Sequence, residues 1–392
     1  MSTESEQKLR IGVVGTGSIA RSHAQAYRDN PRAELVGVYD IDTDRAAAFA
    51  AAHGTTSYAT LAELVAQAPA LVSVATPPGS HTGVAVELLE AGCSVLIEKP
   101  PTTSLADMDL IAAAEAASTG SAYVVFQHRH GSGARRAHEL LSSGALGTPH
   151  VAVCETLWYR PDSYFLPDWR GNWAGEGGGP TLGHGIHQID LLLHLMGEWD
   201  SLNATAARIA RPVEFEDVSM AVVTFASGAL GSVVTSLLSP RELSRIRIDT
   251  TGGTLEVNHV YSYRDADWSW FPVPTAAVTA NNGQNPGAVK NGARATGSAD
   301  SVDVWTRGSD PEVPSGHAAQ INRLIDDLLA GRPHDTTLAS TRPTMELVTA
   351  LYASSIERDT IRRSDLTPDR GFYHRLDGGL PAELVTARMR LG

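Results

Sequence analysis

The 392-residue chain has only two cysteines, Cys93 and Cys154, far apart in sequence. Two such thiols make neither a disulfide framework nor a zinc-ligand spacing. They are expected to be buried or half-buried thiols in a reducing cytoplasm. Basic residues are scarce too: 31 Lys and Arg stand against 44 Asp and Glu, a formal net charge of -13. With no run of Lys or Arg to override it, that balance argues against nucleic acid as a partner. No stretch of about 18 apolar residues runs uninterrupted, so no membrane span is expected. The opening MSTESEQKLR is polar and acidic, without the apolar core of a signal peptide. What the chain does have is core: 42% of its residues are hydrophobic and 19% charged, as in a globular protein. Its length predicts two domains.

The first third alternates strand and helix signals. Residues 9–14 are a short apolar, β-branched run, expected to be a buried parallel strand. Gly15-Thr16-Gly17-Ser18-Ile19-Ala20 then fits G-x-G-x-x-G/A and opens a helix to about Tyr27. In that pattern the first glycine makes a tight turn and the second lets backbone approach a pyrophosphate. Ala20 lets helix and strand pack closely, and the helix N-terminus faces the phosphates. A second strand, 34–40, ends in Asp40, 25 residues after Gly15, close to where an acid takes the ribose hydroxyls. An acid there repels a 2′-phosphate, and neither Ile41 nor Asp42 brings a positive charge. NAD is therefore favoured, with NADP not excluded. Helices are expected at 44–54, 61–68, 80–92 (Ser80 as its cap) and 105–118, with strands at 70–78, 93–101 and 122–130. This is a doubly wound parallel sheet whose loops at Gly15–Ser18, Asp40, Thr76–Pro78 and Glu98–Pro101 converge on one crevice.

Glu98-Lys99-Pro100 carries the most chemistry in that crevice. The prolines stop the strand and fix the chain direction around Lys99. A lysine beside a nicotinamide can hold and polarise a substrate hydroxyl, and nearby positive charge would lower its own pKa. A strand-end lysine in solvent is the plain alternative.

With these residues in view, the chain resembles the glucose–fructose oxidoreductase, inositol dehydrogenase and rhizopine-catabolism (Gfo/Idh/MocA) family. The resemblance covers nearly all of residues 9–362. It rests on IGVVGTGSIARSHAQAY, ATPPGSH, IEKP, DWRGNW (168–173) and GGGPTLGHGIHQIDLLLHLMG (177–197), in that order. It implies an N-terminal Rossmann domain and a C-terminal α+β domain on an open, mainly antiparallel sheet, here divided as 1–127 and 128–365 with an extension at 366–392. It further implies oxidation or reduction, with NAD(P), of hydroxyls on sugars, cyclitols or related small polar molecules. Lys99 would contact the substrate and nicotinamide region. The helix after the glycine run would supply an aspartate and, four residues later, an acid–base histidine.

Laid over 177–190, the family pattern puts the histidine at His187 and a later aspartate at Asp190, but the first aspartate falls on Gly183. His184 is the candidate to compensate, since an imidazole three residues from His187 can itself take or give a proton; packing sideways is its alternative. A metal shared by the two histidines with Asp190, Glu176 or His194 is the minor reading, and no metal is expected. Asp190 is expected to orient a histidine or brace the helix.

The expected cofactor contacts are Gly15, Gly17, Ser18, Ile19, Asp40, Thr76, Pro77, His81, Glu98, Lys99 and Gln127. Substrate contacts are expected from Arg129, Trp169, Arg170, His184 and His187. The catalytic candidates are Lys99, His187 and His184. Gln127, His128 and Arg129 end the last strand and can meet substrate oxygens. Trp169 and Arg170 offer an aromatic face and a guanidinium fork, and Tyr159, Tyr164 and Trp173 add stacking area.

Past residue 197, short β-branched runs with glycine breaks predict an antiparallel meander, one face under the substrate and the other a meeting place for subunits. Residues 272–314 read as a long loop, 317–331 and 342–359 as helices, and the tail as either an exchanged arm or a frayed end. The whole predicts a cytoplasmic, homo-oligomeric (dimeric or tetrameric) NAD-dependent oxidoreductase acting on a carbohydrate or polyol. Its rivals are an enzyme that cleaves or epimerises a sugar by transient oxidation on retained cofactor, and a non-catalytic cofactor-binding regulator.

Overall fold

Residues 9–14 and 71–74 are apolar without alternation because both faces of their strands are covered. In the computed structural model, which describes residues 8–273, 304–305 and 311–389, they are the central strands of a parallel sheet. That sheet comprises β1 (Leu9–Val14), β2 (Ala33–Tyr39), β3 (Ser57–Tyr58), β4 (Leu71–Val74), β5 (Ser94–Ile97) and β6 (Ala122–Val124). Its order is β3-β2-β1-β4-β5-β6. The order reverses between β1 and β4, which opens a crevice at their carboxyl ends.

Two local expectations need correction. The strand expected over 122–130 stops at Val124, because its only parallel partner, β5, ends at Ile97 opposite it. Gln127–His130 instead wind into a short 3-10 turn. Ser80 does not cap its helix; its hydroxyl donates to Thr76 Oγ1 and to the Pro77 carbonyl, both at 2.8 Å.

The second sheet is open and mixed. It contains β7 (Pro149–Tyr159), β8 (Trp199–Ala207), β9 (Val218–Phe225), β10 (Leu230–Ser236), β11 (Leu238–Thr250), β12 (Gly253–His259), β13 (Trp268–Pro272) and β14 (Ile361–Arg362). The order is β13-β12-β11-β7-β10-β9-β8-β14. Most pairs are antiparallel, but β7 lies between β10 and β11 and runs parallel to β10. A pure meander is therefore the wrong topology. β7 is laid down before the helix Ile186–Met196, and later strands are added on both its sides.

Two helices return the chain toward the first sheet. His317–Ala330 packs on Ala20–Asp29, and Gln320 Nε2 donates to the Val124 carbonyl at 2.7 Å. Leu338–Glu357 starts four residues earlier than expected, where Thr337 Oγ1 accepts from Ser340 N. Most of the loop expected at 272–314 falls outside the described residues. The tail packs on its own chain: Phe372, Leu376, Val385 and Met389 are buried, and Tyr373 reaches Asp109.

Candidate active site

The turn after β1 sets the cofactor end of the crevice. Gly15 has φ +87°, and a Cβ there would meet the Ala75 backbone at 2.7 Å, so only glycine fits. At Gly17 nothing lies within 4 Å of a Cβ position, which leaves the approach to the helix N-terminus open. Ser18 and Ile19 line the crevice, and Ile19, at the N-cap, places no side-chain partner on the free N–H groups.

Asp40 is more occupied than the sequence suggests. Its carboxylate accepts from Thr16 N (2.7 Å), Thr16 Oγ1 (2.8 Å) and Asp42 N (2.9 Å), and from Arg45 Nε (3.2 Å) and Nη2 (2.6 Å). Burial alone would raise its pKa, but Arg45 and these donors bring it down to about 2. Neither Ile41 nor Asp42 brings a positive charge here, but Arg45, from the next helix, does.

The Thr76–Pro78 loop and the Glu98–Pro100 loop are tied by His81. Its Nδ1 is 2.9 Å from the Pro100 carbonyl and its Nε2 2.8 Å from that of Thr76. His81 is buried with both nitrogens used, so it braces the loops and has none left for a ligand. Thr76 and Pro78 line the crevice on either side of Pro77. Glu98 is 4% exposed on the same wall, held by His23 and His317.

Lys99 sits where the two arms of the crevice meet. One arm, about 320 Å3, includes Ser18, Thr76, Glu98, Trp169, Arg170 and His317. The other, about 370 Å3, includes Trp158, Arg160, His187 and Glu242. Both share Lys99, Tyr164, Gly183, His184 and Tyr261. Lys99 Nζ donates to the Gly183 carbonyl at 2.9 Å. That carbonyl belongs to a π-helical turn, Thr181–Gly185, a distortion often found at functional positions. Burial pushes the Lys99 ammonium pKa down, Glu98 and Glu176 oppose this, and Arg170 adds to it.

The histidines of the glycine-rich stretch both face this crevice. His184 Nε2 is 3.4 Å from Tyr164 OH, and its ring stands edge-on to Trp158 at 5.2 Å. His187 lies 5.3 Å from the His128 ring and 5.7 Å from Tyr261, ring centre to ring centre, with its Nδ1 buried and without a partner. Burial, then the charge of Lys99, pushes both imidazoles well below the ordinary range, so both are neutral bases at pH 7. Neither bonds Lys99; the backbone of Gly183 does. Arg170 lies 3.9 Å over the Tyr164 ring and 4.2 Å over Trp169, a stacked rim to the pocket.

Other expected site residues lie elsewhere. Arg129 does not line the crevice: its Nε donates to Asp190 Oδ2 at 2.7 Å and its Nη2 to Oδ1, in a buried bidentate pair that Thr344 completes. Asp190 therefore braces its helix through Arg129 and orients no histidine. Gln127 is buried behind the pocket and touches Tyr261 OH. Tyr159 is exposed at the end of β7. Trp173 lines a larger hollow of about 530 Å3 against the C-terminal extension, which shares no residue with the crevice. Among the described residues, the grouping with metal-ligand spacing is His23, Glu98 and His317, not His184 with His187. His317, Tyr261, Arg160 and Glu242 were missed by the sequence reading. Only His317 left a signal there, as a polar residue opening an amphipathic helix.

Residues 9–126 match a family described as an oxidoreductase family with an NAD-binding Rossmann fold, and residues 134–256 match the GFO/IDH/MocA C-terminal domain. The chain belongs to the Gfo/Idh/MocA family. It is 28% identical over 290 residues to D-glucoside 3-dehydrogenase of Escherichia coli, which spans 65% of this chain and 79% of that one. Inositol 2-dehydrogenase 3 of Saccharopolyspora erythraea is 36% identical over 149 residues, 37% of this chain and 44% of that one. The WlbA dehydrogenase of Bordetella pertussis, solved with NADH and UDP-GlcNAcA, superposes with a TM-score of 0.74 at 26% identity. That match covers 91% of this chain and 99% of that one. This family member thus has an NAD-binding Rossmann domain, and the open approach at Gly17 and the uncapped helix start fit a dinucleotide. Among the described residues, no helix is long and apolar enough to cross a membrane.

Proposed function

We propose that this chain is an NAD-dependent dehydrogenase that oxidises a secondary hydroxyl of a sugar, glycoside or cyclitol, or reduces the matching ketone. The observation that carries this is the meeting of Lys99 and His187 on one cavity wall, continuous with the glycine-turn crevice. A dinucleotide held at the Gly15 turn by Gly17, Ser18 and Ile19 would supply the hydride acceptor. Lys99 donates to the substrate oxygen and stabilises the negative charge that grows on it. His187, neutral because it is buried, accepts the hydroxyl proton. Its Nε2 edge is the one that reaches the pocket, since Nδ1 is sealed inside. His184 and Tyr164 hold a neighbouring hydroxyl, and the Arg170–Trp169 rim covers the ring. The dehydrogenase reading is favoured over the internal-redox and regulatory ones because curated relatives such as the glucoside and inositol enzymes are named dehydrogenases.

Purified protein given NAD or NADP with a panel of monosaccharides, glycosides and inositols tests the reading through nicotinamide reduction. His187→Ala is expected to lower kcat by about 10²–10⁴-fold. Undiminished turnover in that variant removes His187 from the mechanism. Both thiols are free and buried, in keeping with a reducing cytoplasm. A second copy of the chain is proposed to cover the sheet face opposite the helices, where Val151, Met220, Val222 and Leu230 stand exposed together on β7, β9 and β10. A monomeric parent protein in light scattering would remove that part.

A further inference from the structure

Glu98 is a buried carboxylate whose hydrogen bonds are satisfied while, among the described residues, no lysine or arginine is ion-paired with it. Its Oε1 accepts from His23 Nε2 at 2.8 Å and from His317 Nε2 at 3.0 Å, and its Oε2 accepts from Lys99 N at 3.1 Å. Behind His23, Nδ1 is 2.9 Å from Ser73 Oγ, which in turn meets Tyr27 OH. One arrangement of protons serves every bond. Tyr27 donates to Ser73, Ser73 donates to His23 Nδ1, and His23 Nε2 donates to Glu98. All donors then converge on the carboxylate through an uncharged His23, whose pKa burial lowers. Burial would protonate Glu98; the charge His317 carries when protonated, and then these donors, hold its carboxyl well below the ordinary carboxylate range. Among the described residues, the Lys99 ammonium feels this charge without pairing with it. The Lys99 ammonium is turned to Gly183, and among the described residues no lysine or arginine is ion-paired with Glu98.

A buried charge without a counter-ion is costly unless something of opposite sign arrives. The wall that holds Glu98 also carries Ser18, Ile19, Thr76 and His317, the cofactor arm of the crevice. The oxidised nicotinamide ring bears a positive charge and the reduced ring none, while the rest of the dinucleotide is the same. We propose that Glu98, positioned by His23 and His317, is the counter-charge for the oxidised ring, so that this site favours the oxidised cofactor over the reduced one. The inference rests on the dinucleotide occupying this crevice. At an effective dielectric near 20, one such charge would change relative affinity on the order of tenfold to a hundredfold were the ring held within about 6–10 Å of it. The three side chains also have metal-ligand spacing, yet protons shared at 2.8 and 3.0 Å account for their geometry without an ion.

The test is binding, not turnover. Cofactor-stripped full-length protein is titrated at pH 8.5, above the ordinary imidazole range, in EDTA so that no metal bridges the rings. NADH is followed by fluorescence and NAD+ by calorimetry. Glu98→Gln keeps the shape and removes the charge, and the ratio Kd(NAD+)/Kd(NADH) is expected to rise tenfold or more. His317→Lys, at the more exposed end, puts a cation on the carboxylate and is expected to raise the same ratio if Glu98→Gln does not fold. A ratio within twofold of the parent in either folded variant overturns the proposal. A parent protein that binds neither form overturns the cofactor reading itself, and the proposal with it.

Discussion

Restoring the absent aspartate, Gly183→Asp, tests the site more sharply than removing a group from it. A Cβ at Gly183 meets nothing within 4 Å, and the residue lies on the walls of both arms of the crevice. The new carboxylate would stand one residue's reach from Lys99 Nζ, already 2.9 Å from the Gly183 carbonyl. At about 4 Å and an effective dielectric near 20, the attraction is about 4 kcal/mol, and opening to solvent reduces it. An opposite charge this close moves a titration by roughly 1–3 pH units. The direction follows from the role of Lys99. It must be charged to polarise the substrate oxygen, so activity is lost as pH rises through its pKa, which burial holds below the usual lysine range. A carboxylate raises that pKa, and the alkaline limb of kcat/KM should move upward. Gly183→Ala is the control: it fits the same open space, gains roughly 0.5–1 kcal/mol of helix stability, and should leave the limb in place. The pH dependence of Lys99 labelling by an amine reagent, read by mass spectrometry, gives the same answer without a substrate. A folded Gly183→Asp protein with an unmoved limb and unmoved labelling would refute the placing of Lys99 in the chemistry.

Arg129→Met should destabilise the protein by about 3–5 kcal/mol in urea unfolding, because Asp190 is left buried and unpaired; unchanged stability with a raised substrate KM would return Arg129 to the pocket. Arg45→Ala removes the cation beside Asp40 and should lower the NADP-to-NAD ratio of kcat/KM by roughly tenfold, an effect an unchanged ratio would contradict. Stability should also fall as pH drops from 7 toward 5. Burial lowers the pKa of His81, His130, His184 and His187, takes His128 down to about 3 and His194 to about 2. The unfolded chain therefore binds more protons below about pH 6.5, at up to about 1.4 kcal/mol per histidine per pH unit. Glu216, pushed up by burial to about 7, opposes with one proton, its contribution being lost as pH rises through that value. Urea midpoints that stay flat or rise on acidification would contradict the burial of these rings.

The first sheet was legible because its signals are local. An apolar run without alternation and a glycine turn adjoin each other, and the acid at the next strand end follows 25 residues after Gly15, within one strand–helix–strand unit. Gly15 shows both sides: its positive φ follows from the turn itself, while the close approach of Ala75, 60 residues on, comes from the pairing of β1 with β4. The convergence of the Gly15, Thr76 and Glu98 loops followed from strand–helix alternation, since parallel strands end on one side. The glycine-rich stretch showed His184, His187 and the gap at Gly183, but not what fills the gap.

What sequence alone could not decide depended on partners far away in the chain. Arg129 lies in the turn after β6, near the pocket, and only packing against Asp190, 61 residues away, turned it from expected substrate contact to brace. Asp40 read as free for a ribose until the next helix brought Arg45 onto it. The place of β7 between β10 and β11, and of His317 against Glu98 across 219 residues, left almost no trace in local pattern. Strand–helix alternation by itself determined the first sheet, and the family resemblance of the motifs implied the second domain and the candidates Lys99 and His187. Which charges meet, and which are buried, is set by long-range contacts, and those only the tertiary structure decided.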